Sequence, residues 1–514
     1  MPLPRLDRHH APDAPPEHPV RVVQFGTGAL LRGLVDDAFD LANRAGSWDG
    51  RAVVVSQTGS GRGVAFNEQD GLYTLVVRGI EDGEAVERTR VVGAVARALS
   101  AQDDWDDVLA LARDENVGLV VSNTTEVGLT WDEEDDPEAA PPRSFPAKLA
   151  AWLRARQEAL GDGAGVVVLP TELVEGNGER LCSLVLRWGE RAGWGETFAA
   201  FVRNDCTFTN TLVDRIVPGE PEDAEALQES LGYRDDLLTA AEVYRLWAIE
   251  GNDDLAERLP FADGAEPGVI VVPSVEPYRL RKVRLLNAAH TLLVPVALGC
   301  GCATVREAVE GERVGAFVRR LLFGELVPAT ERELEAAGHD PLIAAPFARA
   351  VLERFANPFI RHDLVSITLQ QTMKLDVRAV PAVRALAETG TVPEAVALGF
   401  AAFLLLHRAA TGMESDSPLV FAATDLLTDD RADAVRESWR RRPDAAAVVA
   451  HSVLADRTLW SDNLTDLPGV GSAFADTVAR FTEQGLDRGV PMLLDALPNR
   501  RKGERARGRE GEEE

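Results

Sequence analysis

The N-terminal half of the chain alternates short apolar runs, rich in β-branched residues, with stretches of helical spacing. Several runs are continuously apolar, which is typical of strands covered on both faces of a parallel sheet. Amphipathic segments such as LLRGLVDDAFDLANRAG lie between them. The alternation predicts an α/β fold with a doubly wound sheet. The six predicted strands are Arg21–Phe25, Arg51–Gln57, Thr74–Gly79, Gly118–Asn123, Gly165–Pro170 and Gly268–Pro273.

From about Leu280 the pattern becomes helical, with few strand signals. Segments such as LLNAAHTLLVPVALG and AVALGFAAFLLLHRAA carry apolar residues at helical spacing. The change falls near the stretch ERLPFADGAEPG or just past the strand that follows it. We therefore expect a mainly α-helical C-terminal domain. The expected organisation is a disordered tail over 1–19, an α/β domain over 20–280, a helical domain over 281–498 and a disordered charged tail over 499–514.

Composition excludes several classes of protein. The 514 residues carry 54 basic and 83 acidic side chains, a formal net charge of −29, whereas nucleic-acid binding needs a basic face. The longest apolar stretch, from Leu292, is far shorter than the ~20 residues of a membrane span. The proline-rich first nineteen residues lack the apolar run of a signal peptide. Four cysteines do not make a disulfide framework. We expect a cytoplasmic protein without nucleic-acid or membrane partners.

The segment VVQFGTGALLRGLVDDAF combines a strand, the loop Gly26-Thr27-Gly28 and a helix. Glycines let the backbone approach a diphosphate, and the helix N-terminus offers unpaired N–H groups. Leu31 stands where a third glycine would complete the Rossmann fingerprint, so a tight turn without a ligand is the alternative. We predict a Rossmann-type dinucleotide site with contacts from Val23, Gln24, Phe25, Gly26, Thr27, Gly28, Ala29, Leu30, Leu31 and Arg32.

The end of the second predicted strand bears on the choice of cofactor. NAD-binding folds usually end this strand in an acid that grips the adenosine ribose. Here the strand ends Val55-Ser56-Gln57-Thr58, with Arg62 nearby. The residues alone therefore leave NAD and NADP open.

Only four of the 54 basic residues are lysine: Lys148, Lys282, Lys374 and Lys502. An amine can change protonation state near neutral pH and a guanidinium cannot, so each lysine is a candidate for chemistry. Lys282 is followed by Asn287 and His290 in RKVRLLNAAHTLLVPVALG. At ~100° per helical residue the three side chains fall within ~140° of an otherwise apolar helix. We expect them to share a polar pocket, because burying an unpartnered polar group costs a few kcal/mol.

These three residue types suit a metal-free alcohol dehydrogenase. A desolvated lysine amine can take the proton of a substrate hydroxyl as hydride leaves. The Asn287 amide can donate to the developing alkoxide, and His290 can orient the hydroxyl. The alternative is an amphipathic helix with a surface lysine and two satisfied polar residues.

The K-x4-N-x2-H spacing of Lys282, Asn287 and His290 resembles the signature of the polyol-specific long-chain dehydrogenases, which include mannitol 2-dehydrogenase and the hexuronate reductases. The resemblance covers nearly the whole chain and is nearer to the hexuronate reductases. It is carried by stretches such as QFGTGALLRGLVDDAFDL, VVSNTTEVGLTW, PTELVEGNG and RFANPFIRHDLVSITLQQTMK. It implies an NAD-dependent, metal-independent oxidoreductase that interconverts D-tagaturonate and D-altronate in hexuronate catabolism, with Lys282 as general acid/base.

The resemblance implies further residues of the catalytic site. Asn177, in ELVEGNG, matches an asparagine of the family pattern and is expected to join Asn287 as an oxyanion donor. Polyol members carry a C-D-N run upstream, where this chain reads Thr171-Glu172-Leu173. If the second donor belongs to that run, Asn177 is a turn residue instead. Asp214 and Arg215 match the DRI motif near the family's active site.

The resemblance also implies substrate contacts in the helical domain. Lys374 matches a substrate-contacting lysine of the polyol enzymes. Those enzymes carry an arginine eight residues earlier, where this chain has Ser366, which favours a uronate over mannitol. A substrate carboxylate needs a cation, and Arg361, His362 and Lys374 are the candidates. The alternative for Arg361 is a solvated surface charge.

Three alternative functions remain from the sequence. A related enzyme could act on fructuronate and mannonate or on a polyol such as mannitol. A nucleotide-binding protein could keep the fold without turnover. A metal-dependent isomerase or epimerase of sugar acids is the third. Cys300 and Cys302 lack a second cysteine pair or a nearby histidine pair, so we expect no metal site.

Overall fold

The computed structural model describes residues 3–11, 13–57, 61–136, 138–262, 268–411, 428–484 and 494. The chain divides into two compact units, Met1–Tyr278 and Arg279–Glu514. The first is an α/β unit and the second is helical. The predicted fold class is thereby confirmed. The predicted charged tail over 499–514 lies outside the described residues.

The α/β unit contains all of the strands in the described part of the chain. Their bounds are β1 Val20–Phe25, β2 Arg51–Ser56, β3 Tyr73–Glu81, β4 Glu84–Val92, β5 Val95–Ser100, β6 Leu119–Ser122, β7 Val167–Pro170, β8 Thr207–Phe208, β9 Thr211–Asp214, β10 Thr239–Glu242, β11 Leu246–Glu250 and β12 Val269–Val272.

Six of these strands form a central parallel sheet in the order β5-β2-β1-β6-β7-β8. Chain order runs outward from β1 to β2 and β5 on one side, and from β6 to β8 on the other. This is the doubly wound dinucleotide-binding topology, whose direction reverses between β1 and β6. Ligands of such sheets bind at the carboxyl ends of the strands at this switch point.

Both faces of the central sheet are buried, which explains its continuously apolar strands. Val22, Val54 and Val121 pack into one hydrophobic core, whereas Val23 and Val120 pack into the core on the opposite face. The helices of this unit are α1 Asp36–Ala45, α2 Arg62–Glu68, α3 Trp105–Leu111, α4 Phe145–Leu160, α5 Asn177–Arg191, α6 Gly195–Asn204, α7 Ala224–Leu231, α8 Asp253–Arg258 and, at the unit boundary, α9 Glu276–Arg281.

Two of the six predicted strands do not belong to the central sheet, which corrects the expectation of a single sheet. The strand predicted at Thr74–Gly79 lies in a three-stranded sheet, β10-β3-β4, and that at Gly268–Pro273 lies in another, β12-β11-β9. Strands β3 and β4 form a hairpin closed by Asp82 and Gly83, both at positive φ. Asp-Gly is favoured in such two-residue turns, so this hairpin was readable from the sequence.

The N-terminal segment is ordered where the structure describes it, contrary to the predicted tail over 1–19. The Leu6 N–H donates to the Arg234 carbonyl at 2.8 Å, and the Arg234 N–H donates to the Pro4 carbonyl at 2.7 Å. Leu6 and Ala11 are buried in a small apolar cluster. Isolated apolar residues in a proline-rich segment carry no periodic signal, so the sequence pattern could not reveal this docking.

The helical unit contains helices of between 4 and 16 residues in the part of the chain that the structure describes. They are α10 Ala288–Gly299, α11 Val305–Glu310, α12 Glu312–Leu321, α13 Val327–Ala336, α14 Ala344–Phe355, α15 Leu364–Ile367, α16 Gln371–Arg378, α17 Val380–Ala387, α18 Glu394–Ala409, α19 Ala432–Arg441, α20 Ala446–Leu454 and α21 Val470–Gln484. None of the helices in the described ranges combines the length and the apolar character that crossing a membrane requires.

Helices α10 and α18 form the centre of the helical unit. Every residue of α10 except His290 is buried. A Cβ at Gly399 of α18 would lie 2.7 Å from Leu292 Cδ2, so the glycine permits the close approach of the two helices. This packing fixes the position of His290, the one residue of α10 that is only half-buried.

Glu325 caps the N-terminus of α18 from a π turn over Leu322–Leu326. The carboxylate is buried and accepts hydrogen bonds from the N–H groups of Ala395 at 2.8 Å and Val396 at 2.9 Å. These are first-turn donors without a partner inside the helix. Burial raises the pKa of Glu325 to about 7, although the two N–H donors act in the opposite direction.

Glu325→Gln is expected to alter the pH dependence of stability. The folded-state pKa lies above the ordinary 4.5, so the stability that this group contributes is complete below pH 4.5 and is lost as pH rises to about 7. Urea unfolding at pH 5 and pH 8 should show wild type losing up to about 3 kcal/mol relative to the variant. The exposed Glu388→Gln should keep the wild-type profile. If the stability of Glu325→Gln changed with pH as that of wild type does, the raised pKa of Glu325 would be contradicted.

Candidate active site

Strand β1 leads directly into the glycine loop at the carboxyl edge of the central sheet. Gly26 has a φ of +130°, and a Cβ there would lie 2.9 Å from the carbonyl oxygen of Asn123. The Gly26 N–H donates to the Val55 carbonyl at 3.0 Å. Only glycine fits this backbone, which turns sharply at the switch point of the sheet.

Gly28 leaves the backbone of the same loop accessible. No atom beyond its chain neighbours lies within 4 Å of the place that its Cβ would take. Gly28, Ala29 and Leu30 are half-buried, and the helical segment begins at Ala29. The N–H groups of a first helical turn have no intrahelical partners. This open, donor-rich edge therefore fits the diphosphate of a dinucleotide.

The other side chains of the predicted cofactor set lie inside the protein and support the loop. Arg32 is buried and donates from Nη1 to the Thr27 carbonyl at 2.7 Å and from Nε to Thr239 Oγ1 at 2.8 Å. Arg32 thus holds the Gly26–Gly28 loop from the interior of the protein. The buried members of the set are Val23, Gln24, Phe25, Gly26, Thr27, Leu31 and Arg32.

Gly33 takes the packing role that the Rossmann fingerprint gives to its third glycine. A Cβ at Gly33 would lie 2.6 Å from Val217 Cγ1, so this helix approaches its neighbour more closely than a side chain allows. Leu31, at the expected third-glycine position, is buried in the core instead. Gly33 does not fit the spacing of the fingerprint, because it lies two residues after the expected third glycine.

Glu172 organises the chain that leaves β6, beside the glycine loop. It is buried, and its Oε1 accepts hydrogen bonds from the N–H and the hydroxyl of Thr124, both at 3.0 Å, while Oε2 accepts from Ser122 Oγ at 3.1 Å. Asn123 Nδ2 donates to the Thr171 carbonyl at 3.0 Å. Burial raises the pKa of Glu172. At the position of the C-D-N run of polyol members, this chain thus has Glu172, whose carboxyl group fixes the residues at the end of β6.

Asn177 joins three segments of the α/β unit. Its Nδ2 lies 3.1 Å from each of the Pro170, Glu172 and Thr211 carbonyls, and its Oδ1 accepts from the Thr211 N–H at 2.9 Å. The side chain is only 1% exposed. With both amide hydrogens engaged, Asn177 has no donor left for the predicted oxyanion role, and the arrangement corresponds to the turn residue that the sequence offered as the alternative.

The DRI motif also lies inside the α/β unit. Asp214 is buried at the end of β9, opposite Leu246. Arg215 is buried, with Nη1 2.6 Å from Asp37 Oδ2 and Nε donating to the Glu242 carbonyl at 2.9 Å. Arg215 therefore ties α1 to β10, while the substrate role of Asp214 stays a prediction.

Lys282 and Asn287 lie at the two ends of a π turn, not on a regular α-helix as the sequence analysis assumed. The N–H of Ala288 donates to the carbonyl of Val283, five residues earlier. In a π turn, hydrogen bonds join residues i and i+5, so residues five apart align more closely than the ~140° of an α-helix. Both side chains are half-buried, and the Asn287 amide has no hydrogen-bond partner among the described residues.

His290 is held by aromatic contacts one turn further along. Its ring stacks on Phe355 with centroids 4.1 Å apart, and His362 meets it edge-on at 4.9 Å. Nε2 is enclosed and has no hydrogen-bond partner among the described residues. Burial, and after it His362, Arg354, Arg378 and Lys374, hold the pKa of His290 well below its usual range. The ring is therefore a neutral imidazole, able to bond to a substrate hydroxyl.

Helix α16 carries Lys374 on the face that is anchored to α10. Gln371 Nε2 donates to the Thr291 carbonyl at 3.2 Å, and Arg378 Nη1 donates to Thr291 Oγ1 at 2.9 Å. Lys374 lies between these two anchors at helical spacing and donates from Nζ to the Ile367 carbonyl at 3.1 Å. Burial lowers the pKa of Lys374, and Arg378 lowers it further.

Arg361 lies apart from this cluster. Its side chain is 68% exposed and pairs with Asp363 at 3.0 Å. This is the solvated surface charge that the sequence gave as its alternative. His362, the next residue, instead contacts His290, and burial lowers the pKa of its ring.

No set of three His, Cys, Asp or Glu side chains is placed to hold a metal ion in the described ranges. Cys300 and Cys302 are half-buried thiols, and burial raises the pKa of each.

Two family models together match most of the chain. The mannitol dehydrogenase Rossmann domain matches residues 20–262, and the mannitol dehydrogenase C-terminal domain matches residues 274–482. The chain belongs to the mannitol dehydrogenase family. It is therefore an oxidoreductase with a nucleotide-binding domain, and the resemblance seen in the sequence motifs is confirmed.

Curated relatives within the mannitol dehydrogenase family match nearly end to end. The altronate oxidoreductase of Bacillus subtilis (strain 168) is 36% identical over 478 residues, covering 92% of this chain and 95% of the relative. That of Pectobacterium carotovorum subsp. carotovorum (strain PC1) is 38% identical over 496 residues, covering 94% and 99%. The similarity thus includes both units.

Solved structures show the same fold. A D-sorbitol dehydrogenase in substrate-free form has a TM-score of 0.70 at 22% identity, covering 95% of this chain and 100% of that one. The Pseudomonas fluorescens mannitol 2-dehydrogenase, solved as a ternary complex with NAD and D-mannitol, has a TM-score of 0.62 at 19% identity, covering 96% and 99%. The mannitol dehydrogenase fold therefore persists at low sequence identity.

Asn177→Ala is expected to destabilise this member of the mannitol dehydrogenase family. It would leave buried carbonyls and one N–H without partners, at a cost of roughly 2–4 kcal/mol. Urea unfolding measures the change. Asn287→Ala, which removes an amide without described partners, is the matched control and should cost less than about 1 kcal/mol. Equal effects would contradict the structural role of Asn177.

His290 is expected to remain neutral from pH 8 down to pH 6. Its pKa is held below the usual 6.5 by burial and by neighbouring positive charge. Histidine-selective NMR titration would follow the ring, with His290→Gln identifying the signal. A His290 resonance that titrates with a midpoint near 6.5 would contradict the described environment.

Proposed function

We propose that this protein is an NAD-dependent oxidoreductase that interconverts D-altronate and D-tagaturonate, that is, a tagaturonate reductase of hexuronate catabolism. The curated relatives at 36% and 38% identity carry the name altronate oxidoreductase, which supports the substrate. The observation that carries the chemistry is the π turn, which brings Lys282 and Asn287 toward the same side, followed by a neutral His290 whose buried Nε2 has no partner among the described residues.

The three polar groups of the helical unit supply complementary functions. In oxidation, Lys282 Nζ accepts the proton of the substrate hydroxyl, and in reduction it returns that proton to the same oxygen. The Asn287 amide donates to this oxygen as negative charge develops on it. His290 orients the hydroxyl through Nε2. When bound, the nicotinamide cofactor supplies the hydride acceptor or donor.

The assignment to NAD rests on the family resemblance, and the open loop at Gly28 supports a dinucleotide without distinguishing NAD from NADP. Strand β2 ends at Ser56, followed by Gln57, neither of which carries the acid typical of NAD-binding folds. The cofactor test therefore includes NADPH beside NADH.

Substrate-dependent oxidation of NADH, followed by absorbance, is expected to be fastest with tagaturonate in a panel that includes fructuronate and fructose. Lys282→Ala should lower kcat by at least about 10³-fold, because no other group replaces the proton donor. Isothermal titration with NADH should show unchanged cofactor binding by the variant.

Lys282→Arg is the matched control, because it keeps the positive charge but cannot exchange a proton near neutral pH. It should be as inactive as the alanine variant. A preference for fructose, or for mannitol in the reverse direction, would refute the hexuronate assignment. NADH binding without turnover of any substrate would identify a nucleotide-binding protein instead.

A further inference from the structure

The surroundings of His290 are rich in positive charge. Arg354, Lys374 and Arg378 all depress the pKa of this ring. Lys374 and Arg378 lie four residues apart on α16, so the two like charges share one helix face. Such a spacing weakens a helix on its own, and an anion that binds between the two charges would reverse that effect.

Arg378 has donors to spare. It is half-buried, and among the described residues its one hydrogen bond runs from Nη1 to Thr291 Oγ1. No carboxylate of the described residues pairs with it, and burial alone accounts for the lowering of its pKa. A guanidinium carries five N–H donors in a fork that matches a carboxylate, so most of its binding capacity is unused.

The position of Arg378 relative to the reacting groups is fixed through Thr291. Thr291 Oγ1 accepts from Arg378 and donates to the Asn287 carbonyl at 2.8 Å. Thr291 also follows His290 directly on α10. An anion held by Arg378 would therefore lie near Asn287 and His290, two of the three residues that contact the substrate oxygen in the proposed reaction.

We propose that Arg378, with Lys374 beside it, binds the substrate carboxylate and makes the enzyme specific for sugar acids over neutral sugars. The inference rests on the proposed function and names the group that determines its substrate class. It replaces Arg361, which is exposed and already paired with Asp363.

The test compares D-tagaturonate with D-tagatose, which has the same carbon skeleton and a primary alcohol in place of the carboxylate. Arg378→Met should raise KM for tagaturonate roughly 10- to 100-fold, the value of a charge-assisted hydrogen bond, with little change in kcat. Its kcat/KM for tagatose should stay within about threefold of wild type. Arg378→Lys keeps the positive charge but loses the planar guanidinium, so its KM for tagaturonate should lie between those of wild type and Arg378→Met.

Two further variants separate carboxylate binding from structural support. Thr291→Val removes the hydroxyl that holds Arg378 and should raise KM for tagaturonate by a smaller factor. Arg332→Met, at an exposed arginine of the same unit, should match wild type on both substrates. Thermal unfolding of each variant identifies loss of fold, and Arg378→Lys keeps the comparison valid if Arg378→Met is unstable.

The outcomes distinguish this inference from the function on which it rests. Equal losses on tagaturonate and tagatose, or no loss on either, would overturn the role of Arg378 and leave the hexuronate activity standing. A wild-type preference for tagatose would overturn the proposed function, and the carboxylate site with it. A selective loss on tagaturonate supports both.

Discussion

The cost of removing polar groups from water governs the helical unit. Helix α10 is buried at every residue but His290, and the turn before it must still present an amine and an amide. On a regular α-helix Lys282 and Asn287 would point ~140° apart, which would bring one of them nearer the buried side of the segment. The π turn avoids that cost by aligning the two side chains while the apolar residues between them, Leu285 and Leu286, stay buried.

The same constraint explains the protonation of the site. A charged imidazole would lie near Arg354, Lys374 and Arg378, each of which lowers the pKa of the ring. The ring therefore stays neutral and keeps a lone pair or a hydrogen for a hydroxyl. The same positive charge would attract an anionic substrate in the proposed reaction.

Most of the fold could be predicted from the sequence, because strands buried on both faces of the central sheet consist of continuous apolar runs. All six predicted strands exist, but β3 and β12 lie in small separate sheets, and strand pairing is not encoded in the runs themselves. The N-terminal segment escaped prediction for a related reason: Leu6 docks through single contacts that have no periodicity. Local patterns therefore specify elements, whereas their partners depend on tertiary packing.

The same distinction between local pattern and tertiary packing applies to the candidate site. Residue spacing singled out Lys282, Asn287 and His290 as candidates, since residues on one helix keep their relation in the sequence. It could not single out Arg378, whose relation to α10 depends on how α16 packs against that helix. The alignment of Lys282 and Asn287 depends on a π turn, a rare backbone conformation that residue spacing alone does not predict.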